Sequence, residues 1–70
     1  MFKIIDIESY DRRTAYGVEY HTNYAIETDE ELSIDEVIAK LTQEGQVVCG
    51  QCKLKSYKAQ GTLILETVMF

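Results

Sequence analysis

Leu32-Ser33-Ile34-Asp35-Glu36-Val37-Ile38-Ala39-Lys40-Leu41-Thr42-Gln43-Glu44-Gly45 is the stretch that decides the fold. A serine ahead of an apolar run accepts hydrogen bonds from the free N–H groups of a helix's first turn. Glu36, three positions on, returns the bond to the Ser33 backbone, which completes a capping box. Leu32 before the cap and Val37 at the fourth helical position supply a hydrophobic staple. Ile34, Val37, Ile38 and Leu41 recur at i, i+3, i+4 and i+7, so a helix near 34–44 carries one apolar stripe. Gly45 stands where a left-handed C-terminal cap belongs.

The flanks of this helix read as strands. Residues 18–27 alternate, with Val18, Tyr20, Thr22, Tyr24 and Ile26 on the inward face and Glu19, His21, Asn23, Ala25 and Glu27 on the other. Residues 2–9 are rich in β-branched isoleucine, and 11–15 are expected to close a loop between the two strands. After the helix, residues 46–57 and 62–69 make a second pair turned around 58–61. The expected architecture is α+β in the order ββαββ, an antiparallel sheet of about four strands with one helix packed on one face. It forms a single domain over 1–70. Strand order does not follow from the pattern. The apolar end, Val68, Met69 and Phe70, is expected to be packed.

Seventy residues bury only about 60% of the surface that the unfolded chain exposes, so a core this size is close to break-even. A homodimer is therefore expected, with an edge strand as the place to add one. The start, Met1-Phe2-Lys3-Ile4-Ile5-Asp6, lacks a charged-then-apolar leader, and the apolar run Leu63-Ile64-Leu65 stops at Glu66. No membrane association and a cytoplasmic location are the expectation. Two cysteines do not make the disulfide framework of a small secreted domain.

Net charge is −5, and it is unevenly spread. Residues 1–18 balance. Residues 19–36 hold Glu19, Glu27, Asp29, Glu30, Glu31, Asp35 and Glu36 with no Lys or Arg, a local charge of −7, and residues 37–70 carry +2. Part of the acid suits the positive end of the helix. The rest exceeds what capping needs and points to electrostatic recognition of a basic surface. The spacing and glycine of an EF-hand calcium loop are missing.

Cys49-Gly50-Gln51-Cys52 is a C-x-x-C, half of a tetrahedral zinc site or a redox dithiol. A symmetric dimer could supply the other two thiolates. Redox chemistry wants the motif at a helix N-terminus, whereas Lys53-Leu54-Lys55-Ser56-Tyr57 looks extended. In a regular strand the two sulfurs diverge, and they converge only if Gly50-Gln51 turns or bulges. Two small packed side chains are the plain alternative.

Among the five tyrosines, Tyr20 and Tyr24 share the inward face, while Tyr10 and Tyr16 flank the Arg12-Arg13 loop and suit an interface. Lys53, Lys55 and Tyr57 share one face of the third strand, where Arg12 and Arg13 could join them to bind single-stranded nucleic acid. The negative total charge argues against that use. His21 is the one imidazole, on the outer face beside Glu19 and Asn23, with no phosphate loop, nucleophile elbow or metal cluster around it. Neither enzymatic activity nor a cofactor is expected.

The expectation is thus a small acidic protein-binding module, an adaptor or inhibitor. It would use Glu27, Asp29, Glu30, Glu31 and Asp35 with Tyr10 and Tyr16 against a basic surface of a partner protein. In composition, short, acidic and tyrosine-rich without proline or tryptophan, it is similar to small accessory proteins of phages and other mobile elements. A dimeric metal or thiol protein using Cys49 and Cys52 is the alternative, and a nucleic-acid-binding sheet a further one.

Overall fold

The capping box forms as its residue types require. Ser33 Oγ accepts from the Glu36 N–H at 3.3 Å and Glu36 Oε1 accepts from the Ser33 N–H at 3.1 Å. A computed structural model of the chain describes residues 1–57 and 60–70. Its elements are β1 (Phe2–Thr14), β2 (Gly17–Thr28), α1 (Ile34–Gln43), β3 (Gln51–Tyr57) and β4 (Thr62–Met69). The helix ends in a Schellman motif: the Gln46 N–H donates to the Leu41 carbonyl and the Gly45 N–H to that of Thr42, both at 3.0 Å. Gly45 takes the left-handed conformation this demands, with φ +88°. The turn expected at 58–61 falls partly outside the described residues.

All strand pairings are antiparallel, and the sheet order is β1-β2-β4-β3. The last strand in sequence thus lies inside the sheet, and β1 and β3 form its edges. The helix covers one face at one end. Ile26, Val37, Leu41 and Leu65 are wholly buried there, with Tyr24 and Leu63 nearly so and Phe2, Ile4, Ile34, Ile38, Cys52 and Leu54 packed around them. Thr67 is buried as well, and its hydroxyl donates to the Thr22 carbonyl at 2.9 Å.

Three expectations are corrected. First, 11–15 is not an open loop: β1 continues to Thr14, and Ala15-Tyr16 alone turn the chain, because Thr14 pairs with Gly17. The Thr14 hydroxyl braces this turn, accepting from the Tyr16 N–H at 3.2 Å and donating to the Gly17 carbonyl at 3.1 Å. Second, the strand expected from residue 46 begins only at Gln51, since the Schellman turn uses Gln46 and Gly50 has φ +86°. Third, the inward set of β2 is buried only over Tyr24, Ile26 and Thr28. Val18 and Tyr20 share that face but lie beyond the helix and stay exposed, as do Met69 and Phe70 at the end of β4.

Candidate functional site

Where β2 leaves the sheet, the chain must climb to the helix N-cap, and this crossing gathers the acidic residues. Glu27, Asp29, Glu30 and Glu31 line one groove of about 700 Å³, with Leu32, Thr28 and Leu63 among the walls and Ser56, Gln60 and Gly61 across from them. The Thr28 side chain holds the loop, accepting from the Glu30 N–H at 3.1 Å. The groove therefore pairs apolar wall with a carboxylate rim.

Cations already meet part of that rim. The Met1 amine lies 2.9 Å from Asp29 Oδ1 and 4.0 Å from Glu30, and Lys40 Nζ is 3.8 Å from Glu30. The hydrogen bond from the amine holds the Asp29 carboxyl below its usual range, and Asp29 in turn raises the amine. Lys3 stands opposite Glu27 in the strand register. Lys40 also lies over the Phe2 ring, 5.7 Å from its centre. Asp35, on the first helical turn, does not line the groove. Glu36 is committed to the cap, which keeps its carboxyl below the usual range through the Ser33 backbone and hydroxyl.

Tyr10 and Tyr16 are elsewhere. Gly17 and Thr28 are the two ends of β2, roughly 35 Å apart at the rise of an extended strand. Tyr16 stands fully exposed in the turn at the far end. Tyr10 packs against the ring of its cross-strand partner His21, with centroids 4.8 Å apart and planes 3° from parallel. His21 Nε2 is also 3.0 Å from Glu19 Oε1. The structure brings four of the five acids together, puts Tyr16 at the other end and leaves Tyr10 partway along the hairpin, opposite His21.

Cys49 precedes the Gly50 bend and Cys52 follows it. The Tyr24 hydroxyl is pushed up first by burial and then by the two thiols. Cys49 Sγ donates to Met69 Sδ at 3.6 Å and Cys52 Sγ to the Gly50 carbonyl at 3.8 Å. Burial, with Cys49 adding to it, raises the Cys52 thiol. A redox dithiol needs the opposite shift, and the segment that follows is a strand rather than a helix N-terminus. Both thiols are free, and among the described residues no cluster of three or more His, Cys, Asp or Glu is arranged to hold a metal ion.

The sheet face away from the helix is open. Lys53 and Lys55 sit there on β3, with Lys55 Nζ 2.9 Å from Glu66 Oε1. This contact lowers the Glu66 carboxyl and raises the Lys55 amine. Arg12 reaches the same face from β1, on the opposite edge, about 14 Å across three strand spacings. The basic residues are thus split rather than joined. Among the described residues, no helix is long and apolar enough to cross a membrane. No family model, curated protein or solved structure matches the chain.

Proposed function

We propose that the protein is a non-enzymatic binding module whose acid-rimmed groove takes a basic segment of a partner protein. The observation that carries this reading is the convergence of Glu27, Asp29, Glu30 and Glu31 on one groove beside Leu32 and Leu63. A lysine or arginine has an apolar stem and a charged tip, so its stem suits the leucines while its tip meets the carboxylates. The non-enzymatic half of the proposal rests on the same geometry. The groove holds carboxylates, while His21 lies on β2 and the thiols at and before the start of β3, where among the described residues no set resembles a nucleophile with its base.

The test uses a short peptide of alternating lysine and leucine, followed by amide shifts of the labelled protein. Shifts are expected at residues 27–32 and 60–63. Affinity is expected to fall about tenfold in the Glu27→Lys/Glu31→Lys double variant, and again at about 0.5 M salt, where screening acts within roughly 4 Å. Tyr10→Ala, outside the groove, is expected to leave it unchanged. Shifts centred outside the groove, or binding indifferent to both charge reversal and salt, overturn the proposal.

A further inference from the structure

The outer edge of β1 is the longest unpaired strand edge of the molecule, and its backbone polarity can be derived. The Thr28 N–H donates to the Gly61 carbonyl, on the β4 side. Even-numbered residues of β2 therefore turn their backbone groups to β4 and odd-numbered ones to β1. By the register, Glu8, Tyr10 and Arg12 face β2, and Ile7, Ser9, Asp11 and Arg13 present their N–H and C=O groups outward. The other edge, β3, is 7 residues long and carries Lys53 and Lys55, charges of the kind that discourage pairing. β1 has 13 residues, and its bulge, between Ile4 and Asp6, lies near one end. Ile5, Ile7 and Tyr10 are 47%, 42% and 44% exposed along it.

The charges on this edge complement themselves. Asp6 and Glu8 outweigh Lys3 in its first half, and Arg12 and Arg13 outweigh Asp11 in its second. A parallel neighbour of the same kind meets like with like, whereas an antiparallel one meets acid with base twice. The position of the two-fold axis can also be chosen. Centred on Glu8 or Asp11, it sets two carboxylates face to face. Centred on Ser9, it sets Asp11 against Ile7. Centred on Tyr10, it sets Glu8 opposite Arg12, Ile7 opposite the aliphatic stem of Arg13, and Tyr10 opposite its own copy. Residues that point their backbone outward then meet others that do the same, as a hydrogen-bonded ladder requires.

We propose that β1 pairs antiparallel with β1 of a second copy of this chain about a two-fold axis at Tyr10, joining the two sheets into one of eight strands with both helices on the same face. The Tyr10–His21 stack then continues across the axis on the open face. On the helix face Arg13 of one copy covers Ile7 of the other, next to its Tyr24, and so extends the small core at the point where the helix ends.

Sedimentation velocity from micromolar to millimolar protein tests this, with circular dichroism to confirm that each variant is folded. The wild type is expected to dimerise over that range. Glu8→Arg and Arg12→Glu, both at exposed positions, are each expected to weaken the dimer about tenfold or more, since every substitution acts twice across the axis. The double variant Glu8→Arg/Arg12→Glu restores opposite charges and is expected to recover the dimer. A wild type that stays monomeric at millimolar concentration overturns the proposal. So does a dimer that neither single variant weakens, or a double variant as weak as the singles.

Discussion

The β1–β2 hairpin has two halves built from the same alphabet, and only one of them is buried. Tyr24 and Ile26 are 4% and 0% exposed, while Tyr20 and Val18, on the same face of the same strand, are 49% and 39% exposed. The cause is length. A helix of 10 residues spans about 15 Å, whereas β2 with 12 residues runs to roughly 35 Å. That span takes up most of the 40 Å long axis of the molecule. Alternation fixes which face a side chain takes. It does not fix whether anything covers that face.

The far half is held instead by its neighbours across the strands: Tyr10 on His21, His21 on Glu19, and the hydroxyls of Ser9 and Thr22, 3.2 Å apart. Such pairs contribute about 0.2–1 kcal/mol each, far less than burial of a whole aliphatic side chain. The sharpest contrast is therefore between Leu65→Ala and Val18→Ala. Truncating Leu65, wholly buried under the helix, is expected to cost about 2–5 kcal/mol in urea unfolding. Val18→Ala is expected to cost under about 1 kcal/mol. Similar losses at the two sites would mean that the far half is packed after all.

A second contrast separates conformation from contact. Gly50 and Gly17 both have positive φ, +86° and +136°. A Cβ on Gly50 would run into the Val68 carbonyl of β4, while one on Gly17 meets nothing within 4 Å. Strain of this kind costs on the order of 1–3 kcal/mol, so both alanine variants are expected to lose stability. Gly50→Ala is expected to lose more, because backbone rather than a movable side chain stands in the way. Equal losses would show that β3 can shift from β4 without penalty.

The helix that makes the difference was legible in the sequence to within a residue at either end, because caps and periodicity are local chemistry. The strand faces and the order ββαββ were legible for the same reason. What escaped depends on distant parts of the chain. Asp11-Arg12-Arg13 looks like loop, yet it extends β1 because β2 offers a matching edge as far as Gly17. Nothing local says that β4 inserts between β2 and β3. Tyr10 and the acids of 27–31 are near enough in composition to suggest one surface, but a hairpin puts its turn as far as possible from its open end. The Gly50 bend between the two cysteines was visible only as a condition that glycine permits.

The cap offers a third measurement. Ser33→Ala removes the acceptor for the Glu36 N–H and is expected to cost about 1 kcal/mol. Amide exchange distinguishes where that loss falls. Amides around Ile26 and Leu65 should open faster while those of Tyr10 to Glu19 change little, since the helix does not reach them. Equal acceleration along the whole of β2 would join the two halves into one cooperative unit.

Acid provides the smallest effect, and its sign follows from the shifts. Glu36 and Glu66 both have carboxyls lowered from 4.5 in the folded protein, Glu36 by the Ser33 backbone and hydroxyl, Glu66 first by its hydrogen bond to Lys55. A carboxyl that ionises more readily when folded stabilises the fold above its unfolded value and loses that contribution as pH falls through the folded one. Unfolding followed from pH 6 down to about 3 should show stability declining in the wild type and a shallower decline in Glu36→Gln/Glu66→Gln. Both carboxylates are solvated, so the difference is expected to be small and to shrink in high salt. Glu36 acts where the helix starts, and Glu66 on the open face of the sheet beside Lys55. A double variant with the wild type's full pH slope would move the response to Asp29, whose carboxyl the Met1 amine holds below its usual range.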